Sequence, residues 1–166
     1  MATPDTLQDS IPVFCTACIS KEVLDEFFIQ SLGAPELEGV DWIAVLVDTL
    51  NVKTITKPTR APVDEPISYP FQGWGIEDIV KFAHESFNHA RQGIVSEHLV
   101  ILDEQTMEDK TCLLVTLKED HRAEGERLTV RADFRSSLVL LNLKCLGVGG
   151  DTHFEVTSSD GIIRLE

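Results

Sequence analysis

The run from Trp42 to Val47 (WIAVLV) constrains this chain more than any other six residues. It is apolar throughout, of strand length, and closes on Asp48. A strand with one face in water alternates polar and apolar residues, whereas an unbroken run is covered on both faces, the situation of a parallel strand between two helix layers. The residues upstream complete the unit. Ile11 to Ala17 (IPVFCTA) is short, apolar and β-leaning. Ser20 then caps a helix whose apolar positions Val23, Leu24, Phe27, Phe28 and Leu32 recur every three or four residues. Gly33 and Pro35 stop that helix. Strand, helix, strand predicts a parallel crossover.

Beyond it, 51–75 is a long loop punctuated by Pro58, Pro62, Pro66, Pro70 and the triplet Gly73-Trp74-Gly75, which together forbid a regular ladder or helix. Ile76 to Arg91 is the clearest helix, with Ile76, Ile79, Val80, Ala83, Phe87 and Ala90 on one stripe and Gly93 at its end. His98 to Leu102 and Thr111 to Leu117 read as antiparallel strands joined by a polar turn, Asp103 to Lys110. After a charged tip at 118–126, Leu128 and Val130 alternate with Thr129 and Arg131, so one face is wet there. Asp133 caps a helix over 134–145, although Leu138 to Leu143 (LVLLNL) equally suits a buried strand. Phe154 to Thr157 and Ile162 to Leu165 flank a turn sequence that fits a hairpin. The expected architecture is one α/β domain over 11–166, a mixed parallel and antiparallel sheet with packed helices and a long proline-rich loop, behind a disordered N-terminus at 1–10.

The 166 residues carry 28 acidic against 14 basic side chains, a formal charge of −14. A field of that sign repels phosphate backbones and anionic headgroups, so nucleic acid and membrane surfaces are excluded as expected partners. It favours solubility, and it also suits an acidic face that meets a basic protein. Residues 1–10 hold no basic region followed by an apolar core, and no apolar run reaches spanning length, which points to the cytoplasm. Four cysteines in such a chain read as reduced thiols.

The run LVILDEQTMEDKTCLLVTL (99–117), the segment LTVRADF (128–134), the pair Asn142-Leu143 and the closing SDGIIR (159–164) resemble the uncharacterised bacterial and fungal family catalogued as domain of unknown function 6924. The resemblance covers about the C-terminal hundred residues. It implies an α/β sheet, in which an Arg-bearing strand leads to a helix with an Asn-Leu pair, and no established activity.

Candidate chemistry is sparse. Cys15-Thr16-Ala17-Cys18 has the spacing of a redox pair, but such sites put the first thiol at a helix N-terminus, whereas Cys15 falls inside a strand, so two packed thiols are the plainer reading. No second pair of ligands accompanies it, and His84 and His89 stand roughly 140° apart around their helix, so no metal site and no cofactor are expected. Gly147 to Gly150 follows a helix instead of opening one. Asp48 and Asp103 each end an apolar strand, where open α/β sheets bind ligands, though Asp at a strand end also simply nucleates a turn. Trp74 is a lid, a partner contact or an anchor for its loop. Arg131 and Arg164 sit amid excess acid, more suited to pairing with carboxylates than to binding an anion. The leading expectation is a non-catalytic acidic binding or regulatory module that engages a protein partner, basic or otherwise, through its acidic surface or the loop around Trp74. The alternative is a small enzyme with a pocket near Asp48, Asp103 and Trp74. Oligomeric state and reaction are not legible.

Overall fold

The alternation of side chains along the central strands decides how the layers stack. The computed structural model describes residues 7, 9–40, 42–87, 92–117, 127–148, 151–154 and 159–165. Six strands form one sheet: β1 (Ile11–Cys15), β2 (Ala44–Leu46), β3 (Leu99–Leu102), β4 (Thr111–Leu117), β5 (Arg127–Asp133) and β6 (Ile162–Ile163), in the order β2-β1-β3-β4-β5-β6. β1 runs parallel to β2 and β3, β3 to β5 are antiparallel, and β6 is parallel to β5. The sheet is mixed, as the sequence predicts.

Ile11, Val13 and Cys15 of β1 pack on one face with Val100, Leu102 and Leu114. Over them lie Leu24, Phe27 and Phe28 of α1 (Lys21–Leu32) and Phe134 and Leu138 of the helix Phe134–Cys145. Phe14, Val45, Leu99 and Ile101 face the other way, onto Ile79 and Ala83 of α2 (Ile76–Ser86). The apolar run at 42–47 is therefore buried from both sides: Ile43 to Val47 are all under a tenth exposed. Burying such side chains fully contributes about 1.5–3 kcal/mol each and holds the layers together. β5 is half wet, with Val130 and Ala132 buried and Thr129 exposed.

The helix starts follow local chemistry. Ser20 Oγ accepts from the Val23 amide at 3.3 Å, and the Asp133 carboxylate accepts from Ser136 N at 3.0 Å. The segment 134–145 is thus a helix, and its all-round apolar character has a cause: it is wedged between α1 and the sheet, with Ser136 through Leu141 buried. The 51–75 segment holds one 3-10 turn, Val52–Thr54; around Thr59 it covers the outer edge of β2, and from Tyr69 to Gly73 it crosses the end of β1.

Three expectations are corrected. The link 103–110 is not a plain turn but a short helix, α3 (Glu104–Asp109), leaving the helix over 134–145 as α4. Asp103 and Thr106 form its capping box, and Lys110 ends it at φ 57°. The long helix ends at Ser86, with Phe87 already extended; 88–91 lie outside the described residues. The closing hairpin expected of 154–157 and 162–165 falls largely on 155–158, which lie outside the described residues; Phe154 ends a 3-10 turn and β6 joins β5 in parallel. That direction follows from α4, which carries the chain back along β5 before β6 begins. Ser10 does not belong to a disordered tail: it is fully buried and bridges Ile94. Gly93 permits this, since its φ is +81° and an added Cβ would meet the Leu7 carbonyl at 2.5 Å. Residues 1–6 and 8, and the charged tip 118–126, lie outside the described residues.

Candidate functional site

The chain leaves β1 for α1 on one face and returns from β2 through α2 on the other, so strand order reverses between β1 and β3. Open α/β sheets bind ligands beyond the carboxyl ends of strands at such a reversal. Here the loop before α2 covers that end. Gly73 N donates to Thr16 O at 2.9 Å, the Tyr69 hydroxyl donates to Ile19 O, and Cys18 Sγ donates to Gln72 Oε1 at 3.3 Å.

Cys15 is the last residue of β1 and is buried, whereas Cys18 is exposed. Burial, with smaller contributions from Asp48 and Cys18, pushes the Cys15 thiol up to about 12. Since the thiolate is the reactive form, such a thiol is a poor nucleophile. Burial likewise raises the Tyr69 phenol, helped by the two cysteines. The helix N-terminus that would activate a redox cysteine lies instead at Ser20, which is occupied in capping.

Asp103, at the end of β3, is committed to structure. Its Oδ2 accepts from Arg131 at 2.5 Å, its Oδ1 accepts from the Thr106 amide at 3.2 Å, and Arg131 also donates to Thr111 Oγ1 at 3.0 Å. Arg164 pairs with Asp160 at 2.7 Å. Both arginines meet carboxylates.

Asp48 lies elsewhere, lining a pocket of about 360 Å³ along β2 with Thr54, Lys57, Thr59, Arg60 and Asp64. Burial raises its carboxyl, outweighing its own backbone hydrogen bond. Trp74 lines a separate groove of about 430 Å³ with Gly73, Asp78, Lys81, Phe82 and Glu85. Its ring is half-buried and stands edge-on to Phe71 and Phe82, at centroid distances of 5.0 and 5.8 Å. Asp48 and Trp74 thus line different pockets among the described residues, and Asp103 lines neither of these two.

A signal for the groove was present in the sequence: Asp78, Phe82 and Glu85 recur at helical spacing beside Trp74. The Asp48 pocket carries no such signal, because apart from Val45 and Leu46 of β2 and Thr54 its walls come from irregular chain. Among the described residues no three His, Cys, Asp or Glu side chains gather to hold a metal ion, and no helix is long and apolar enough to cross a membrane. His98 Nδ1 lies 2.6 Å from Thr116 Oγ1. Comparison with protein-family models, curated proteins and solved structures found no match.

Proposed function

We propose that this chain is a non-catalytic binding module that engages a basic segment of a partner protein through the groove between Trp74 and α2. The observation that carries the reading is the composition of that groove: two aromatic rings, Trp74 and Phe82, flanked by the carboxylates of Asp78 and Glu85 against the single ammonium of Lys81. A lysine or arginine side chain laid there meets an aromatic face and an anionic rim, and a cation over an indole contributes about 0.5–2 kcal/mol depending on its desolvation. Phe71 and Phe82 hold the Trp74 ring in place before any partner arrives, which reduces the ordering cost of binding. The formal charge of −14 steers a basic partner toward the chain from a distance.

Fluorescence anisotropy of labelled nonapeptides tests the reading. Lysine- and arginine-containing peptides bind, their affinity falls between low and physiological salt, and Trp74→Ala weakens them by about tenfold or more. Equal binding of neutral and acidic peptides, or an unchanged affinity in Trp74→Ala, rules it out.

A further inference from the structure

Five aromatic rings, Phe14, Phe71, Trp74, Phe82 and Phe87, meet on the α2 side of the sheet. Phe14, Phe71 and Phe87 are buried, so within this cluster it is Trp74 and Phe82, both half-buried, that carry ring surface out to the groove. Their planes stand at 84° with centroids 5.8 Å apart. Phe71 is in edge contact with both, at centroid distances of 5.0 and 4.9 Å, and is itself fully buried. The groove therefore has two aromatic walls at nearly a right angle, braced from the core side by a third ring.

The charged rim comes from one helix face. Asp78, Lys81, Phe82 and Glu85 stand at positions i, i+3, i+4 and i+7 of α2, which puts Phe82 between the two carboxylates and sets Lys81 on the same face. Asp78 Oδ2 also accepts from Gly75 N at 3.3 Å, at the start of the helix. Two carboxylates against one ammonium leave the rim only weakly anionic. An unmodified lysine ammonium is compact, strongly hydrated and has three donors to satisfy. Such a rim gives it little that the 28 acidic residues of the chain do not give elsewhere. A methylated ammonium keeps the positive charge, loses an N–H donor with each methyl, and packs its methyl groups on ring faces. It matches what sets this groove apart, two angled rings under a weakly anionic rim.

Building on the groove's reading as a site for a basic segment, we propose that its preferred anchor is a trimethylated lysine of the partner protein, with the quaternary ammonium in the corner between Trp74 and Phe82 and the carboxylates of Asp78 and Glu85 around it. The methyl groups supply the contact, and the charge supplies the attraction to both rings. Methylation of the partner thereby sets how tightly this chain holds it.

The test is fluorescence anisotropy with one nonapeptide sequence in three forms, its central lysine unmodified, trimethylated, or replaced by the neutral carbon isostere that ends in a tert-butyl group. The trimethylated peptide binds about fivefold or more tightly than the unmodified one, and the isostere binds about tenfold or more weakly than the trimethylated one. Phe82→Leu, which keeps an apolar side chain on α2 and removes one ring, brings the trimethylated peptide down to the unmodified affinity. Glu85→Gln, at an exposed position, weakens both charged peptides together and retains the preference. The proposal is overturned if the trimethylated and unmodified peptides bind alike, if the isostere matches the trimethylated form on the unmutated chain, or if Phe82→Leu folds and keeps the preference. Unmodified peptide that binds through Trp74 without any gain on methylation overturns this proposal and leaves the basic-segment reading standing, whereas failure of all three peptides to bind removes both.

Discussion

Asp103 stands where a ligand-binding carboxylate would, yet its contacts make it a structural clamp, and the difference is measurable. Asp103→Ala removes two things at once. One is the cap of α3, whose Oδ1 accepts from the Thr106 amide, a loss of about 1 kcal/mol. The other is the ion pair with Arg131 at 2.5 Å, between side chains only 23 % and 13 % exposed, where a charge-assisted contact contributes about 2 kcal/mol. Together these predict a destabilisation of about 3 kcal/mol. With a urea m-value near 2 kcal/mol/M, the unfolding midpoint falls by about 1.5 M. Asp103→Asn keeps a capping oxygen and loses the charge, so it falls roughly two thirds as far. In the Arg131→Met background the same Asp103→Ala change costs at least about 1 kcal/mol less, because its partner is already gone. The assay is equilibrium urea unfolding followed by far-ultraviolet circular dichroism, with basic-peptide binding measured in parallel and expected to stay unchanged. A midpoint within about 0.25 M of wild type for Asp103→Ala, or full additivity with Arg131→Met, refutes the clamp.

Two further outcomes follow from buried polar groups. The Lys144 side chain is 1 % exposed, and its Nζ donates to Leu117 O at 2.8 Å and to Asp151 at 2.5 Å. Asp151→Ala should therefore destabilise by about 3 kcal/mol in the same urea assay, while Lys144→Met, which removes the buried charge along with its partner's role, stays within about 1 kcal/mol of wild type. Burial also pushes the Cys15 and Cys145 thiols up to about 12 and raises Cys112. The folded chain thus holds these protons more tightly than the unfolded chain, whose thiols titrate near 9.0, so their contribution to stability is complete below that pH and is lost as pH climbs toward 12. Unfolding midpoints measured across that range should fall, and in the native protein near neutral pH a thiol reagent should modify Cys18 first. Equal reactivity of Cys15 and Cys18 would contradict the burial described.

The parts of the fold that short-range patterns encode were legible in the sequence. The unbroken run at 42–47 announced a strand covered on both sides, Ser20 and Asp133 announced helix starts, and the alternation around Val130 announced a wet face. Asp103 to Lys110 was less legible because the Asx and Thr chemistry that nucleates a turn also opens a helix, and here the capping box carried on into one. A two-residue strand such as β6 has no period to read, and its direction depends on where α4 returns the chain. Trp74 is anchored on Phe71 and Phe82, one of its expected roles, and it also lines a groove. A pocket at Asp48 was expected from the strand end, but its other walls were out of reach, since Lys57 and Arg60 enter it from irregular chain whose path is set by its bonds to β2 and α1.

Binding of a basic segment at the Trp74 groove is read residue by residue in amide chemical-shift mapping of the labelled chain against an arginine- and lysine-containing nonapeptide at low salt. Perturbations should concentrate on Gly73, Trp74, Asp78, Lys81, Phe82 and Glu85 and fade as salt rises. Perturbations spread evenly over the acidic surface, or confined to residues away from α2, would contradict it.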